Sequence, residues 1–347
     1  LKTAVFIDYR GVPVQTEHLS EIFFFAKIPL ARRDDMRVVF MGSPEAAVPS
    51  LERLVTDDYD VAAVYTQPDR AAGRGRSPAP SPVKQAASRL GLPVIQPENF
   101  IKSEDLKGLA RLKPDVIVIC AYGQILPQSV LDIPPRECIN IHFSLLPRYR
   151  GASPVAAAIL AGDELSGVSI QLVRKKLDTG PILVVGAVPV ASYDTTGSLT
   201  EKLSIVGAGL LLEALSGWRR REITPRPQDE SRATYFSRIR KEEGKIYWTL
   251  SAEEIGRKVR AYNPWPGCFT RWRGKNLRIV RASVSPGEGS RQAGKVIALP
   301  GPGDGVGIDT GHGTLVVLRL QLEGKRVMTA SEFLRGQRDF IGSVLPD

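Results

Sequence analysis

At 347 residues the chain is long for a single hydrophobic core and comfortable for two. Its 43% hydrophobic and 24% charged residues are those of an ordinary globular protein. No run approaches the roughly 20 apolar residues that a membrane span needs. The formal charge of +10 is lopsided: residues 219–347 carry 24 of the 47 Lys and Arg but 14 of the 37 Asp and Glu, and residues 1–218 are neutral. A basic module beside a neutral one points to a polyanionic partner, nucleic acid first. Cys120, Cys138 and Cys268 have no paired spacing, which argues against a disulfide framework or a zinc site and fits a reducing cytoplasm.

Residues 1–35 include Phe23, Phe24 and Phe25 but lack the apolar run and small-residue cleavage site of a secretory signal. They read as an extension outside the folded domains, either a poorly ordered tail or an over-extended gene start. From Met36 onward strand-like and helix-like segments alternate. Val38–Met41, Val61–Thr66, Val94–Gln96, Val116–Cys120 and Cys138–Phe143 read as strands. Helices are predicted near Ala46–Leu54, Pro82–Leu90, Asp105–Leu112, Gln124–Leu131 and Pro154–Ala161. This order predicts an α/β domain at 36–222, a Rossmann-like parallel sheet with helices on both faces. The loop after its first strand, Gly42-Ser43-Pro44-Glu45, lacks the G-x-G-x-x-G fingerprint, so no nicotinamide or flavin dinucleotide is expected. A helix over Thr196–Trp218 leads into a Pro-rich polar stretch, read as a linker at 223–241. Short apolar runs then follow (Ile246–Leu250, Leu277–Val280, Gly294–Ile297, Gly305–Asp309 and Thr314–Leu322), broken by Gly, Pro and Asp. They predict a small C-terminal β-barrel at 242–347.

The densest cluster of chemistry lies on the fifth strand. Side chains alternate faces along a strand, so Asn140, His142 and Ser144 share one face while Ile139, Ile141 and Phe143 take the other. Leu146-Pro147 ends the strand, because Pro cannot continue a ladder and pushes its predecessor to extended geometry. The polar line therefore stands at the carboxyl end of a strand feeding a helix, where open α/β sheets hold their ligands. Asp178, before Thr179-Gly180, supplies a carboxylate from a turn. An amide donor, an imidazole and a carboxylate suffice for acyl transfer. His18 and His312 lie outside any such cluster, so no His-based metal centre is expected.

The run from Asn140 to Gly151, Asn-Ile-His-Phe-Ser-Leu-Leu-Pro-Arg-Tyr-Arg-Gly, followed by Leu177-Asp178-Thr179-Gly180, resembles the folate-dependent formyltransferases. The resemblance runs from Met36 to about Gly336. It implies 10-formyltetrahydrofolate as formyl-donor co-substrate, no metal, and Asn140, His142 and Asp178 as catalytic residues. It further implies a folate site lined by Ser144, Leu145, Leu146 and Pro147. Tyr122, Gln124, Ile125 and Leu126 are implied to hold the pterin through backbone contacts.

Other segments choose within the family. The stretch from Thr66 to Lys84 carries Arg70, Arg74, Arg76 and Lys84, and looks like the basic loop with which members acting on methionyl-tRNA engage the acceptor stem. Arg232-Ala233-Thr234-Tyr235, Asn263-Pro264-Trp265-Pro266-Gly267 and Thr329 to Gly336 resemble further segments of those members. Their C-terminal domain is an oligonucleotide-binding (OB)-like barrel with a basic face toward tRNA. Here Arg257, Lys258, Arg260, Arg271, Arg273, Lys275, Arg278 and Arg281 supply that face, with Trp272 interleaved. The 263–267 segment reads as structural, with Trp265 packed. The implied activity is formyl transfer to the free amino group of methionyl initiator tRNA for translation initiation, by a cytoplasmic monomer with no membrane partner. The alternative acceptor is a sugar nucleotide or water, and a sugar-nucleotide enzyme has no need of a basic barrel.

Overall fold

The computed structural model of the chain describes residues 6–7, 13–14, 36–72, 77–287, 292–299 and 305–346. Arg74 and Arg76 lie outside the described residues, as do residues 1–35 apart from 6–7 and 13–14, and with them the expectation of an N-terminal extension. Two compact units divide the chain. The first runs to Pro154 and takes in Leu165–Pro189 and Thr200–Phe236; the second comprises Val155–Glu164, Val190–Leu199 and Ser237–Asp347.

The first unit is built on a seven-stranded sheet. Its strands are β1 (Arg37–Gly42), β2 (Asp60–Tyr65), β3 (Val94–Ile95), β4 (Val116–Cys120), β5 (Cys138–His142), β6 (Leu165–Leu172) and β7 (Ile182–Pro189). They lie in the order β7-β6-β5-β4-β1-β2-β3. The five strands from β3 to β5 run parallel. β1 and β4 are apolar and buried on both faces, as strands sandwiched between helix layers must be. The helices α1 (Val48–Thr56), α2 (Pro82–Arg89) and α3 (Ser103–Arg111) connect them. α2 opens on Ser81, whose hydroxyl accepts from the Lys84 N–H at 3.0 Å, with Pro82 pre-set for the first turn.

Strand order reverses between β1 and β4, which leaves a crevice at their carboxyl ends. Ser43 ties the loops around it together. Its Oγ donates to the Tyr122 carbonyl at 3.0 Å and accepts from the Gln67 N–H at 3.1 Å.

The expected parallel sheet is present, and β6 and β7, which were not foreseen as strands, extend its edge by antiparallel pairing. Their apolar runs are interrupted by Gly167 and Gly186, which hid the pattern. The helix expected over Gln124–Leu131 shrinks to the single turn Gln128–Leu131, because Pro127 serves as its N-cap and cannot be an interior residue.

Two further helices, α4 (Pro154–Ala161) and α5 (Thr196–Arg219), each begin in one unit and continue into the other. The apolar face of β5 packs on α5 at Gly207, where an added Cβ would lie 3.1 Å from Ile141 and 3.5 Å from Phe143. The segment read as a linker is structured: Tyr235–Phe236 pairs in parallel with Arg150–Gly151, and the first unit continues through Phe236.

The second unit holds α6 (Ala252–Ala261), β8 (Cys268–Trp272), β9 (Lys275–Ser285), β10 (Val296–Ile297), β11 (Val306–Asp309), β12 (Thr314–Leu322), β13 (Met328–Thr329) and α7 (Ala330–Gly336). Its antiparallel sheet runs β8-β9-β12-β11-β10, with β13 also on β12. Two register shifts in β9, flanking Arg281, let the sheet curl into a partly open, OB-like barrel. Capping boxes start both helices, Ser251 with Glu254 and Thr329 with Glu332. The aromatic core is Trp272, Phe333 and Phe340, packed edge to face with centroids 5.1–5.6 Å apart. Trp272 is 2% exposed, so it does not stand interleaved on the basic face; on β8 it alternates with the exposed Arg271 and points inward. Trp265, expected to pack, is instead 57% exposed.

Candidate active site

β5 presents its polar residues as its alternation requires. Asn140 is half-buried and lies opposite Gln171 of β6, while His142, buried, lies opposite Ser169. Cross-strand partners point to the same face, so Asn140 and Gln171 share a surface. The strand ends at His142, and the following loop is tied down internally. Ser144 donates to the Arg148 carbonyl at 2.7 Å, and its own carbonyl accepts from Ser169 at 2.7 Å. Ser144 is thus buried in the turn, whereas Leu146 and Pro147 line a groove of about 250 Å³ with Ile182, Val185, Arg226, Pro227, Gln228 and Asp229.

The loop after β6 folds back so that Asp178 reaches His142. His142 Nδ1 stands 3.7 Å from Asp178 Oδ1. That separation is too long for a hydrogen bond but close enough for the carboxylate to balance charge on the ring when it is protonated. The other ring nitrogen, Nε2, lies 2.9 Å from the Tyr149 carbonyl. A carbonyl only accepts, so Nε2 carries the hydrogen and Nδ1 faces the carboxylate.

Asp178 is held from several sides. Its Oδ2 accepts from the Gly151 N–H at 2.9 Å, and its Oδ1 from Gln171 Nε2 at 3.1 Å. Its backbone is left-handed, φ +54°, a conformation that Asp tolerates better than most residues. Two residues on, a Cβ at Gly180 would lie 1.6 Å from the Leu172 carbonyl oxygen, so only glycine fits there.

The folate-side expectations place as follows. Tyr122 buries its ring in the core beside Phe100 and Tyr65, and burial raises the pKa of its phenol. Its backbone carbonyl is the part turned to the Ser43 crossing point. Gln124 donates to the Pro97 carbonyl at 2.9 Å, and Leu126 is half-buried against the core. Ile125 is 91% exposed, and Leu177, beside Asp178, is 59% exposed.

Among the predicted nucleic-acid contacts, Arg70 is exposed and reaches Gln67 at 3.4 Å, while Lys84 pairs with Asp69 at 2.6 Å. Arg271, Arg273 and Lys275 are exposed around the β8–β9 turn, with Arg273 paired to Asp339 and stacked over Trp272. Arg257 and Arg260 are half-buried. Arg260 donates to the Asp194 carbonyl at 3.1 Å, and desolvation lowers its pKa.

Sequence reasoning missed the residues behind Asp178: Gln171, Arg150 and Gln228. Gln171 sat in an unrecognised strand, and Gln228 in the presumed linker. The signals were Arg150 inside the main motif and Tyr235 inside a marked segment, which are hydrogen-bonded at 2.9 Å.

Residues 36–215 match the family described as formyl transferase, and residues 238–338 match formyl transferase, C-terminal domain. The chain belongs to the formyl transferase family. Within it, close relatives are methionyl-tRNA formyltransferases. That of Dehalococcoides mccartyi (strain 195) is 49% identical over 89% of this chain and 98% of its own length, and that of Roseiflexus castenholzii 48% identical over 87% and 96%. Among solved structures, HypX from Aquifex aeolicus in complex with tetrahydrofolic acid has a TM-score of 0.60 at 19% identity, covering 90% of this chain and 48% of that one. Methionyl-tRNA formyltransferase from Clostridium thermocellum has a TM-score of 0.51 at 17% identity, covering 72% of this chain and 94% of that one. These two likenesses bear on fold alone. Among the described residues no helix is long and apolar enough to cross a membrane.

Proposed function

We propose that the chain transfers the formyl group of 10-formyltetrahydrofolate to the free amino group of methionyl initiator tRNA, giving N-formylmethionyl-tRNA for translation initiation. Asn140, His142 and Asp178 are its catalytic residues. The observation that carries this reading is the approach of Asp178 to His142 Nδ1, on the face of β5 that also bears Asn140.

The neutral amine attacks the formyl carbon, and negative charge gathers on the formyl oxygen as the new C–N bond forms. The Asn140 amide donates to that oxygen; a donor of this kind is worth roughly 3–4 kcal/mol in a transition state. His142 exchanges protons at Nδ1, since Nε2 is committed to Tyr149. Asp178 faces the ring and balances positive charge on it while the amine gives up its proton. The old C–N bond breaks, and the folate nitrogen leaves with a proton. Exposed Ile125 and Leu177, with the backbone from Tyr122 to Leu126 and the Ser144–Pro147 turn, form the folate side.

The catalytic domain takes in 36–222 together with the stretch that follows to Phe236, and the tRNA-binding domain extends over 242–347. Arg70, Arg74, Arg76 and Lys84 engage the acceptor stem, and Arg257, Arg260, Arg271, Arg273 and Lys275 follow the phosphates. The protein acts as a cytoplasmic monomer with no membrane partner. The test is formyl transfer to initiator methionyl-tRNA beside an elongator methionyl-tRNA and a no-tRNA control. Formylation of the initiator alone supports the reading; equal folate consumption without tRNA makes the protein a hydrolase instead.

A further inference from the structure

The residues that hold the Asp178 turn come from a segment that sequence patterning treats as a spacer. Gln228 lies in the Pro-rich stretch after α5, fifty residues beyond Asp178. Its Nε2 is 2.7 Å from the Gly180 carbonyl and 2.9 Å from that of Asp178, so one amide closes the backbone of the whole turn. The same nitrogen is 3.2 Å from Gln171 Oε1, and Gln171 in turn donates to the Asp178 carboxylate. Gln228 Oε1 accepts twice from Arg150, from Nε at 3.0 Å and from Nη2 at 2.8 Å. Arg150 is 0% exposed. The rest of its guanidinium goes to both carboxylate oxygens of Glu230, at 2.6 and 3.0 Å, and to Tyr235 Oη at 2.9 Å. Five donors on one buried side chain are thereby matched, which is what a buried cation requires.

A left-handed non-glycine residue carrying a functional carboxylate is a strained position that its surroundings must over-determine. Gln228 is placed to do that, because it bonds the turn itself and is oriented by a rigid fork from behind. We propose that Gln228 is a positioning residue for the formyl transfer, clamped by Arg150 and Glu230, and that it sets the distance between Asp178 and His142. The segment after α5 is thus a working part of the active site, and its docking completes the site. This rests on the reading that Asp178 acts on His142.

Gln228→Glu separates the two halves of the clamp. It keeps the size and the oxygen that accepts from Arg150, but it puts an acceptor where the donor to the Asp178 and Gly180 carbonyls stood. Gln228→Leu removes both halves. Each variant is measured for thermal melting, for kcat and KM toward both substrates, and again in an Asp178→Asn background by single turnover. The expected result for Gln228→Glu is a melting temperature near wild type, KM values within about twofold and kcat lowered roughly 10–100-fold, the range seen when a partner that orients a metal-ligating side chain is lost. In the Asp178→Asn background the same change costs less than about threefold, because two residues acting through one carboxylate are not additive. Wild-type kcat in Gln228→Glu overturns the proposal, as does a loss that multiplies fully with that of Asp178→Asn. If Asp178→Asn alone turns over within a few-fold of wild type, the fault lies with the catalytic assignment of Asp178, and the Gln228 proposal falls with it.

Discussion

The imidazole of His142 is anchored by the main chain of Tyr149, seven residues on, at 2.9 Å from Nε2. Tyr149 itself has a left-handed backbone, φ +59°, and its N–H donates to Thr234 Oγ1 at 2.8 Å. The motif therefore encodes its own orienting group, and the carboxylate is left to act on the other nitrogen. In many His–Asp pairs the carboxylate fixes the tautomer; here a carbonyl does so and Asp178 faces the opposite edge of the ring.

One consequence is spectroscopic. With the ring neutral, nitrogen NMR of His142 should show hydrogen on Nε2 and a bare Nδ1. His18 and His312 give the other signals, so His142→Gln assigns the resonance. A dominant Nδ1–H tautomer in the wild type would contradict the geometry.

Turnover gives the second test. Asn140→Ala should lower kcat about 10²–10³-fold, the loss typical of one oxyanion donor. Asp178→Ala should be at least as damaging, because it also frees the Gly151 N–H and Gln171. Both variants should bind tRNA as wild type does in a filter assay, since neither lies in the basic unit. If either retained kcat within a few-fold of wild type, that residue's assigned role would be wrong.

Thiol chemistry plays no part in this scheme, and the structure makes that checkable. Cys120, Cys138 and Cys268 are all buried, and burial pushes each thiol up to about 12. Reactivity follows the thiolate, so none should react with an aromatic disulfide reagent at neutral pH until the chain is unfolded. Rapid release of even one equivalent from the native protein would show a cysteine placed differently.

Much of this was legible in the chain. The five parallel strands could be read because they are buried on both faces and thus continuously apolar, as in Val38 to Met41 and Val116 to Cys120. The shared face of Asn140 and His142 and the carboxylate of Asp178 on its turn were legible because alternation and a glycine turn are local signals. What escaped was non-local. Gln171 gains its meaning only from facing Asn140 across a strand pair that Gly167 and Gly186 disguise, and Gln228 only from lying against a turn fifty residues earlier. The two tryptophans were assigned the wrong way round for a similar reason. Trp272 looked like part of a basic surface because Arg271 and Arg273 flank it, although period-2 alternation sends it to the opposite face.

That exchange makes a stability prediction. Trp272 is wedged between Phe333 and Phe340, so Trp272→Ala should cost about 3–5 kcal/mol and lower the melting transition of the C-terminal unit. Trp265→Ala, at an exposed position, should stay within about 0.5 kcal/mol. Chemical denaturation of the two variants decides it, and equal losses would mean that Trp265 packs after all.

The last prediction concerns the charge asymmetry. Binding through phosphates releases counterions, so affinity falls as salt rises, with each phosphate-contacting cation adding about one to the slope of log K against log salt. Arg271 and Lys275 are exposed at neighbouring positions of the β8–β9 turn, with Arg271 paired in register to Asn276. Replacing both by Ala should reduce the slope by about two and weaken initiator and elongator tRNA alike, because phosphates carry no sequence information. Arg70→Ala acts elsewhere: if its loop engages the acceptor stem, discrimination between the two tRNAs should narrow while the salt slope changes by about one. A slope unmoved by the Arg271 and Lys275 replacements would take the β8–β9 turn out of the tRNA interface and leave the basic excess to other parts of the unit.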